Sequence, residues 1–330
     1  MKPLLLPPNQ FHRFYRGGAR IDALRGVPAG EDGRPEDWVG STTTAWGSDD
    51  EGLSRLEDGR ILRDAIEANP EAFLGPDHVE RWGADPVLLV KLLDAGERLP
   101  VHYHPGRPFA KEHLGLGFGK TEAWIILEAE ADAAVHVGLR EPLDPETARG
   151  WVDAQDAETM LAALHRLPVA PGDAVLVPAG TLHAIGGGIL LLELQEPSDL
   201  SVLVEWKRFG VDDGPEHLGL GWETALQALD REPIDPAALT APGKGLLARE
   251  ADPYFRAERV EAGDVLTPSF AIVLATDGEG ALRTSDGEEL ALRRGDTALV
   301  PFAAGATTLA GDLRAIRCMP PSPTTEEGAW

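Results

Sequence analysis

Short apolar segments, each bounded by Gly, Pro or Asp, recur in two parts of this chain. The first part contains AWIILEA, DAAVHVGL, GDAVLVPAG, GILLLELQ and SVLVEW, and the second contains SFAIVLAT, EELALRRGDTALVPF and LRAIRC. Runs of this length with turn residues between them are typical of strands in all-β proteins. Three longer segments predict helices: ILRDAIEANPEAFL, DPETARGWVDAQDAETMLAALHRL, in which Asp144 or Asp156 is placed to cap a helix, and WETALQALD. The pattern therefore predicts a mainly β fold with helices between its strands.

The two apolar parts resemble each other. GDAVLVPAGTLHAIGGGILLLELQ, from Gly172, can be laid over GDTALVPFAAGATTLAGDLRAIRC, from Gly295, with Gly-Asp, an apolar run, a proline and a second apolar run in common. An internal repeat of this kind predicts two related β-barrels. The second copy has no histidine, so we expect the first barrel to carry the chemistry.

The predicted division of the chain has three parts. An N-terminal barrel covers residues 1–212, with a helical insertion at about 144–166. A helical linker covers 213–262, and a C-terminal barrel without metal ligands covers 263–330.

Composition limits the classes of partner. The chain has 330 residues, of which 43% are hydrophobic, and its net charge of −25 opposes binding to nucleic acid or to anionic membranes. No apolar run approaches the roughly 20 residues that a membrane-spanning helix needs. The first residues, MKPLLLPPNQFHRF, are too short and too interrupted by prolines for a signal peptide, so we expect a cytoplasmic protein. Cys318 is the only cysteine, which excludes intrachain disulfides.

Four residues have the types and positions of a metal site. His102 and His104 alternate in VHYHPG, and side chains two apart on a strand project from the same face. Glu122 follows in GKTEAW, and His183 comes directly after the Pro/Gly turn of GDAVLVPAGTLH. Three neutral imidazoles and one carboxylate leave a divalent cation with one net positive charge and open positions for substrate oxygens. We therefore predict one divalent metal ion.

The spacing Gly-x5-Pro-x-Gly-x2-His around that turn matches half of the cupin signature. More broadly, the chain resembles the type I mannose-6-phosphate isomerases, which are metal-dependent members of the cupin superfamily. PVLLVKLLDAGERLPVHYHP, FGKTEAWIIL and PAGTLHAIGGGILLLELQEPSD carry the resemblance, and weaker matches near Trp38 and Leu218 extend it over most of the chain. It implies two cupin barrels, that is, double-stranded β-helices of the jelly-roll type. It also implies Zn²⁺ as the metal, with Mn²⁺, Fe²⁺ or Co²⁺ as alternatives because His102 stands where the family has a glutamine ligand.

The resemblance also implies an activity, the interconversion of an aldose and a ketose through a cis-enediol. Mannose 6-phosphate and fructose 6-phosphate are the family's substrate pair. The alignment places Lys120, Glu193 and Asp199 in the active site. We predict that Glu193 moves a proton between C2 and C1, that Lys120 orients sugar oxygens, and that the metal stabilises charge developing on those oxygens. The expected partner is a small sugar or sugar phosphate, and the sequence leaves monomer and homodimer open.

One end of the pocket departs from the family pattern. Where the family has Ser-Asp-x-Thr-Tyr-Arg, this chain reads SDLSVL, so that Leu203 takes the place of an arginine. The expected phosphate contacts would then come from nearby basic residues, namely Arg107, Lys111, Lys207 or Arg208. Two alternatives stay open: an isomerase of unphosphorylated sugars such as mannose or lyxose, and a non-catalytic sugar-binding cupin. The GKTE segment and the acids beside the metal favour an enzyme, since binding alone needs no proton transfer.

Overall fold

The structure is a computed structural model that describes residues 1–211, 215–240 and 246–324. Within these ranges the strands, in chain order, are β1 (Leu4–Leu5), β2 (Gln10–Phe11), β3 (Glu36–Val39), β4 (Leu89–Ala95), β5 (His102–Tyr103), β6 (Glu122–Ala129), β7 (Ala134–Leu139), β8 (Leu164–Pro168), β9 (Ala174–Val177), β10 (His183–Ile185), β11 (Ile189–Gln195), β12 (Val202–Leu203), β13 (Arg256–Glu261), β14 (Val265–Leu266), β15 (Ala271–Asp277), β16 (Glu279–Thr284), β17 (Glu289–Arg293), β18 (Thr297–Val300), β19 (Thr307–Gly311) and β20 (Arg314–Met319). The α-helices are α1 (Ala19–Arg25), α2 (Leu62–Ala68), α3 (Pro70–Leu74), α4 (Pro76–Trp82), α5 (Arg107–Phe109), α6 (Pro145–Ala154), α7 (Ala157–Ala162) and α8 (Trp222–Ala225). The predicted fold class, mainly β with two cupin-type barrels and a helical insertion, is confirmed.

The N-terminal barrel consists of two antiparallel sheets with the orders β2-β3-β4-β11-β6-β9 and β12-β5-β10-β7-β8. Strand β11 lies at the centre of the larger sheet and pairs with β4 and β6 along its length. Side chains on its two faces enter different cores. Leu191 packs inside the barrel with Trp124, whereas Leu192 packs with the core shared with the second barrel. Because successive side chains alternate, Glu193 points to the same side as Leu191.

The C-terminal barrel also consists of two antiparallel sheets, with the orders β1-β18-β15-β20-β13 and β14-β19-β16-β17. On β15, Val273 faces this barrel's own core and Ile272 faces the core shared with the first barrel. The two barrels are thus joined by an apolar layer. Strand β13 pairs with β20, and β1 pairs with β18. Strand pairing therefore assigns β13 and β1 to this barrel. The predicted division starts the barrel at residue 263 and so leaves both strands out.

The helical insertion begins as its capping residues predict. Asp144 accepts a hydrogen bond from the backbone N–H of Thr147 at 2.9 Å, and Asp156 accepts one from Thr159 at 3.2 Å. Each aspartate thus satisfies an otherwise unpaired N–H in the first turn of α6 or α7. Both alternatives are realised, because the segment forms two short helices, each with its own cap. Among the described residues, no helix is long and apolar enough to cross a membrane.

Candidate active site

A cavity of about 370 Å³ lies in the N-terminal barrel. Strands β3, β4, β5, β6 and β11 contribute side chains to its wall, as do the segment after β2 and the chain around β12. Its lining is made of His12, Arg13, Phe14, Tyr15, Glu36, Trp46, Lys91, Leu93, Leu99, Pro100, His102, Lys120, Glu122, Ile185, Glu193, Asp199, Ser201, Leu203, Val211 and Leu218. Charged groups and apolar groups are therefore both present.

Three buried histidines lie together, and one of them, His102, lines the cavity. His102 on β5 and His183 on β10 are directly opposite each other in an antiparallel pair, and His104 follows two positions after His102. Their ligand-type nitrogens all lie within 4.8 Å of one another. The Nε2 atoms of His102 and His183 are 2.9 Å apart. The predicted spacing on a strand thus brings these rings together.

The protonation of these rings is fixed by the backbone. Nδ1 of His102 lies 2.8 Å from the carbonyl oxygen of Pro100, Nδ1 of His104 lies 2.7 Å from that of Leu200, and Nδ1 of His183 lies 2.8 Å from that of Thr181. A carbonyl only accepts, so each Nδ1 donates its hydrogen. Burial lowers the pKa of His104 and of His183 to about 3, and it lowers the pKa of His102 well below its ordinary value. All three rings are therefore neutral, with the lone pair on Nε2.

This arrangement fits a divalent metal. Two Nε2 lone pairs that face each other at 2.9 Å repel unless a cation lies between or beside them. Glu122 adds a carboxylate to the cluster: its Oε2 is 3.1 Å from Nε2 of His104, and its Oε1 is 3.4 Å from Nε2 of His183. Neutral imidazoles oriented through Nδ1–H to a carbonyl, together with a carboxylate, are typical ligands of divalent transition metals.

Glu193 lies buried beside this cluster. Its neighbours across the sheet are Lys91 on β4 and Trp124 on β6. Its Oε1 is 3.8 Å from Nζ of Lys120 and 4.0 Å from Nζ of Lys91, and it has no hydrogen-bond partner. Burial, together with the negative charge of Glu122, raises the pKa of Glu193 to about 7. At neutral pH this carboxyl can therefore both accept and release a proton.

Lys120 is held at the edge of the histidine cluster. Its Nζ is 3.0 Å from Oε2 of Glu122 and 3.1 Å from Nε2 of His104. Burial opposes its charge, but Glu122, Glu193 and Asp199 together raise its pKa. Lys120 is therefore a cation at neutral pH, and it lies between the metal-type ligands and Glu193.

Asp199 belongs to a second buried group that the sequence did not reveal. Arg13 donates to both oxygens of Asp199 at 3.2 Å, and its Nε donates to Glu36 at 3.1 Å. The backbone N–H of Trp46 donates to Asp199 at 3.0 Å. Although burial opposes ionisation of Asp199, Arg13 and Lys91 hold its pKa below the ordinary value. Asp199 is thus an ionised group whose oxygens already have partners.

Sequence reasoning missed Arg13, Glu36 and Lys91. A signal existed for Lys91, because it is a single lysine within the apolar run PVLLVKLLDA. For Arg13 no pattern stands out in NQFHRFYRGG, where several neighbouring residues are also polar. Arg13 enters the cavity only because the segment after β2 folds back over the barrel.

The four basic residues that the sequence suggested as phosphate contacts lie outside the cavity. Arg107 binds Glu196 and lies over the ring of Tyr254, 4.9 Å from its centroid. The other three, Lys111, Lys207 and Arg208, are exposed. None of the four contributes to the lining of the cavity, because the loop after His104 and the turn after β12 direct them outward. Leu203, in contrast, does line it.

Known proteins resemble this chain over nearly its full length. It is 30% identical to the mannose-6-phosphate isomerase of Streptococcus mutans serotype c over 327 residues, which cover 96% of this chain and 97% of the relative. No protein-family model matches the sequence. The fold is similar to that of the mannose 6-phosphate isomerase from Bacillus subtilis, with a TM-score of 0.75, 24% identity and coverage of 96% of this chain and 99% of that one.

A third similarity concerns a metal-bound protein. The fold matches a mannose 6-phosphate isomerase bound with zinc and yttrium, with a TM-score of 0.74, 19% identity and coverage of 98% of this chain and 100% of that one. At these identities the structural similarities show a common fold. That fold places three histidines of this chain where they can hold a divalent metal.

Proposed function

Because the chain belongs to the mannose-6-phosphate isomerase family, we propose that it is a metal-dependent isomerase that interconverts a mannose-type aldose and its 2-ketose. One observation carries the proposal. A buried carboxyl with a pKa of about 7, Glu193, lines a cavity together with Lys120, His102 and Glu122. His102 also belongs to a cluster of three neutral histidines. Proton transfer beside a site for sugar oxygens is what aldose–ketose isomerisation requires.

We assign the metal to His102, His104, Glu122 and His183. Zn²⁺ is the first candidate, and a ligand set of three imidazoles and one carboxylate also suits Mn²⁺, Fe²⁺ or Co²⁺. When bound, the ion supplies positive charge that stabilises developing negative charge on the sugar oxygens at C1 and C2.

We assign the proton transfer to Glu193. Isomerisation through a cis-enediol moves a proton from C2 to C1, and one carboxyl on one side of the sugar can serve both carbons. Glu193 points into the barrel, its Oε1 has no hydrogen-bond partner, and burial keeps its pKa about 7. A group whose pKa lies near the working pH is well matched to general acid–base catalysis.

Lys120 and Asp199 receive supporting roles. Lys120 is a buried cation whose Nζ lies 3.8 Å from Oε1 of Glu193, so it can hold a sugar oxygen next to the carboxyl. Asp199 accepts hydrogen bonds from Arg13 and from the backbone of Trp46, and these contacts fix the wall of the cavity. We therefore assign Asp199 a positioning role. A purely sugar-binding protein has no need of a buried carboxyl oxygen without a hydrogen bond, because an unsatisfied buried polar atom lowers stability.

A proton-exchange assay tests the proposal. The metal-free protein is reconstituted with Zn²⁺, Mn²⁺, Fe²⁺ or Co²⁺ and incubated in D₂O with mannose 6-phosphate, mannose or lyxose. We expect ketose to form with deuterium at C1, and the recovered aldose to carry deuterium at C2. The His183→Ala variant, carried through the same reconstitution, is the control for a contaminating isomerase. The proposal fails if no metal yields ketose or exchange with any of these sugars.

A further inference from the structure

We propose that the N-terminal barrel carries a second binding site on its outer face, a cavity beside Arg140 and Arg166 that binds a small phosphate anion, free or esterified. The cavity has a volume of about 510 Å³ and lies between β7, β8 and the end of α7. None of the described residues that line it also lines the active-site cavity. The inference therefore does not depend on the proposed function.

Strand pairing places this cavity on the opposite face of the sheet from the histidine cluster. His136 on β7 is directly opposite Arg166 on β8, and the next residue of β7, Val137, is opposite His183. Successive side chains on a strand point to opposite faces of the sheet. Val137 packs inside the barrel, so His136 and Arg166 project from its outer face.

The wall of the cavity is basic, although the chain is acidic. Its lining consists of two arginines, two histidines and three small or apolar residues, namely Arg140, Arg166, His136, His165, Leu161, Ala162 and Leu164. Among the described residues it includes no Asp or Glu, whereas the active-site cavity and the groove between β6 and β13 both do. In a chain with 55 Asp and Glu against 30 Lys and Arg, this wall concentrates positive charge on a molecule that is negative overall.

Both arginines direct their hydrogen bonds to backbone carbonyls. Arg166 donates to the carbonyl oxygen of Asp132 at 2.8 Å, and Arg140 donates to that of Ala162 at 3.5 Å. Within the described ranges, neither guanidinium forms an ion pair with an acidic side chain. A carbonyl oxygen accepts a hydrogen bond but does not neutralise a charge, so two positive charges remain for an anion.

His136 adds a polar atom that the described part of the protein leaves unused. The ring is half-buried, and its Nδ1 is buried without a hydrogen-bond partner there. Burial lowers the pKa of His136, and the positive charges of Arg166 and Arg98 lower it further. Buried polar atoms without a partner are rare in folded proteins. An anion held between this ring and Arg166 would accept the missing hydrogen bond.

Phosphate suits these groups by charge and by shape. A guanidinium presents parallel N–H donors that match two phosphate oxygens, and a dianion balances both arginines, which a single carboxylate does not. The net charge of −25 opposes the approach of a long polyanion such as nucleic acid, so we expect a small ligand. A cavity of about 510 Å³ also leaves room for a sugar or a nucleoside attached to the phosphate.

Calorimetric titration of the zinc-loaded protein tests the site. The probes are inorganic phosphate, AMP and mannitol 1-phosphate, a sugar-alcohol phosphate that cannot isomerise, and adenosine is the uncharged comparison for AMP. Arg140→Gln and Arg166→Gln should each weaken one phosphate-binding step about tenfold or more, and the double variant should lose that step. Arg149→Gln removes the same charge from an exposed arginine that pairs with Asp153 at 2.9 Å, so it is the matched control and should change nothing.

The order of affinities identifies the source of the phosphate. Tighter binding of AMP indicates a nucleotide, tighter binding of mannitol 1-phosphate in the step that the double variant loses indicates a sugar phosphate, and equal binding of all three indicates the phosphate group alone. A second measurement uses the unmodified protein, in which inorganic phosphate should shift the imidazole resonance that His136→Gln removes.

The same variants separate this site from the active site. The double variant should keep the kcat/KM of the unmodified protein for mannose 6-phosphate. Phosphate binding that is unchanged in the double variant, an unshifted His136 resonance, or equal weakening by Arg149→Gln would overturn the proposal. A fall in kcat/KM in parallel with phosphate affinity would also overturn it, because the phosphate lost would then be that of the substrate. If the unmodified protein does not turn over mannose 6-phosphate, the proposed function fails, and the titration with inorganic phosphate and AMP still decides this inference.

Discussion

Replacing Glu193 by glutamine removes one ionisable group from the cavity and little else. The amide keeps the size of the carboxyl and its capacity for hydrogen bonds, but it cannot accept a proton at neutral pH. If Glu193 transfers the proton, Glu193→Gln should bind metal and sugar like the unmodified protein and lose turnover. General acid–base catalysis is typically worth about 10²–10⁴ in rate, which corresponds to about 3–5 kcal/mol of activation free energy.

The pH dependence gives the same substitution a second readout. Glu193 must be ionised to accept a proton, and burial raises its pKa to about 7. For the unmodified protein, kcat/KM should therefore rise with pH on a limb near or below pH 7, since a bound cation favours the carboxylate. The residual activity of Glu193→Gln should lack that limb.

The free energy of unfolding should depend on pH in the opposite sense to kcat/KM, because it should fall as the pH rises. The pKa of Glu193 is raised from 4.5 to about 7, so the folded protein binds this proton more tightly than the unfolded chain does. The resulting stabilisation is fully present below pH 4.5 and is lost as the pH rises through 7, a change of about 3 kcal/mol. The glutamine cannot ionise, so the metal-free variant should not lose this stability between pH 5 and pH 8. Urea unfolding at both pH values measures the difference.

Turnover and C2 proton exchange, measured by NMR in D₂O on metal-loaded protein, decide the assignment. Metal content shows whether the variant retains its metal site. Calorimetric binding of mannitol, a sugar alcohol that cannot isomerise, shows whether it retains its sugar site. A Glu193→Gln protein with kcat within threefold of the unmodified protein would refute the assignment, and it would move proton transfer to another group of the cavity. Loss of metal together with loss of turnover would refute the view that Glu193 acts on the sugar alone.

Three further outcomes follow from the described contacts. His183→Ala should reduce bound metal, measured by elemental analysis, from about one equivalent per chain to below a tenth, because the cluster loses a neutral ligand that is held by a carbonyl. The unmodified protein should bind one equivalent and not two, since the C-terminal barrel has no histidine; a second equivalent that survives His183→Ala would contradict this. Arg13→Met should lower the free energy of unfolding by about 3–5 kcal/mol, because it removes the arginine that pairs with two buried carboxylates, whereas loss of the exposed Arg149–Asp153 pair through Arg149→Met should cost less than about 1 kcal/mol in the same urea titration.

Local patterns in the sequence were enough for the mainly β fold class and for the histidine cluster, whereas the family resemblance supplied Lys120, Glu193 and Asp199. Alternation on a strand indicated that His102 and His104 share a face, and the structure brings their rings together. The same kind of pattern predicted that Asp144 or Asp156 caps a helix, and in the structure both do. These features depend on residues within a few positions of one another, because strand and helix periodicity are local properties of the chain.

Contacts between distant segments were decided by the tertiary structure. Arg13 meets Asp199 across 186 positions of sequence, and β1 joins a sheet of the C-terminal barrel through β18. Likewise, Arg107 is only three positions after His104 in the sequence, yet it binds Glu196 and does not line the cavity. Periodicity states which face of a strand a side chain occupies, but which strands and loops meet depends on burying apolar surface and pairing backbone hydrogen bonds over the whole chain. The ion pairs among the buried groups of the cavity are therefore properties of the folded protein.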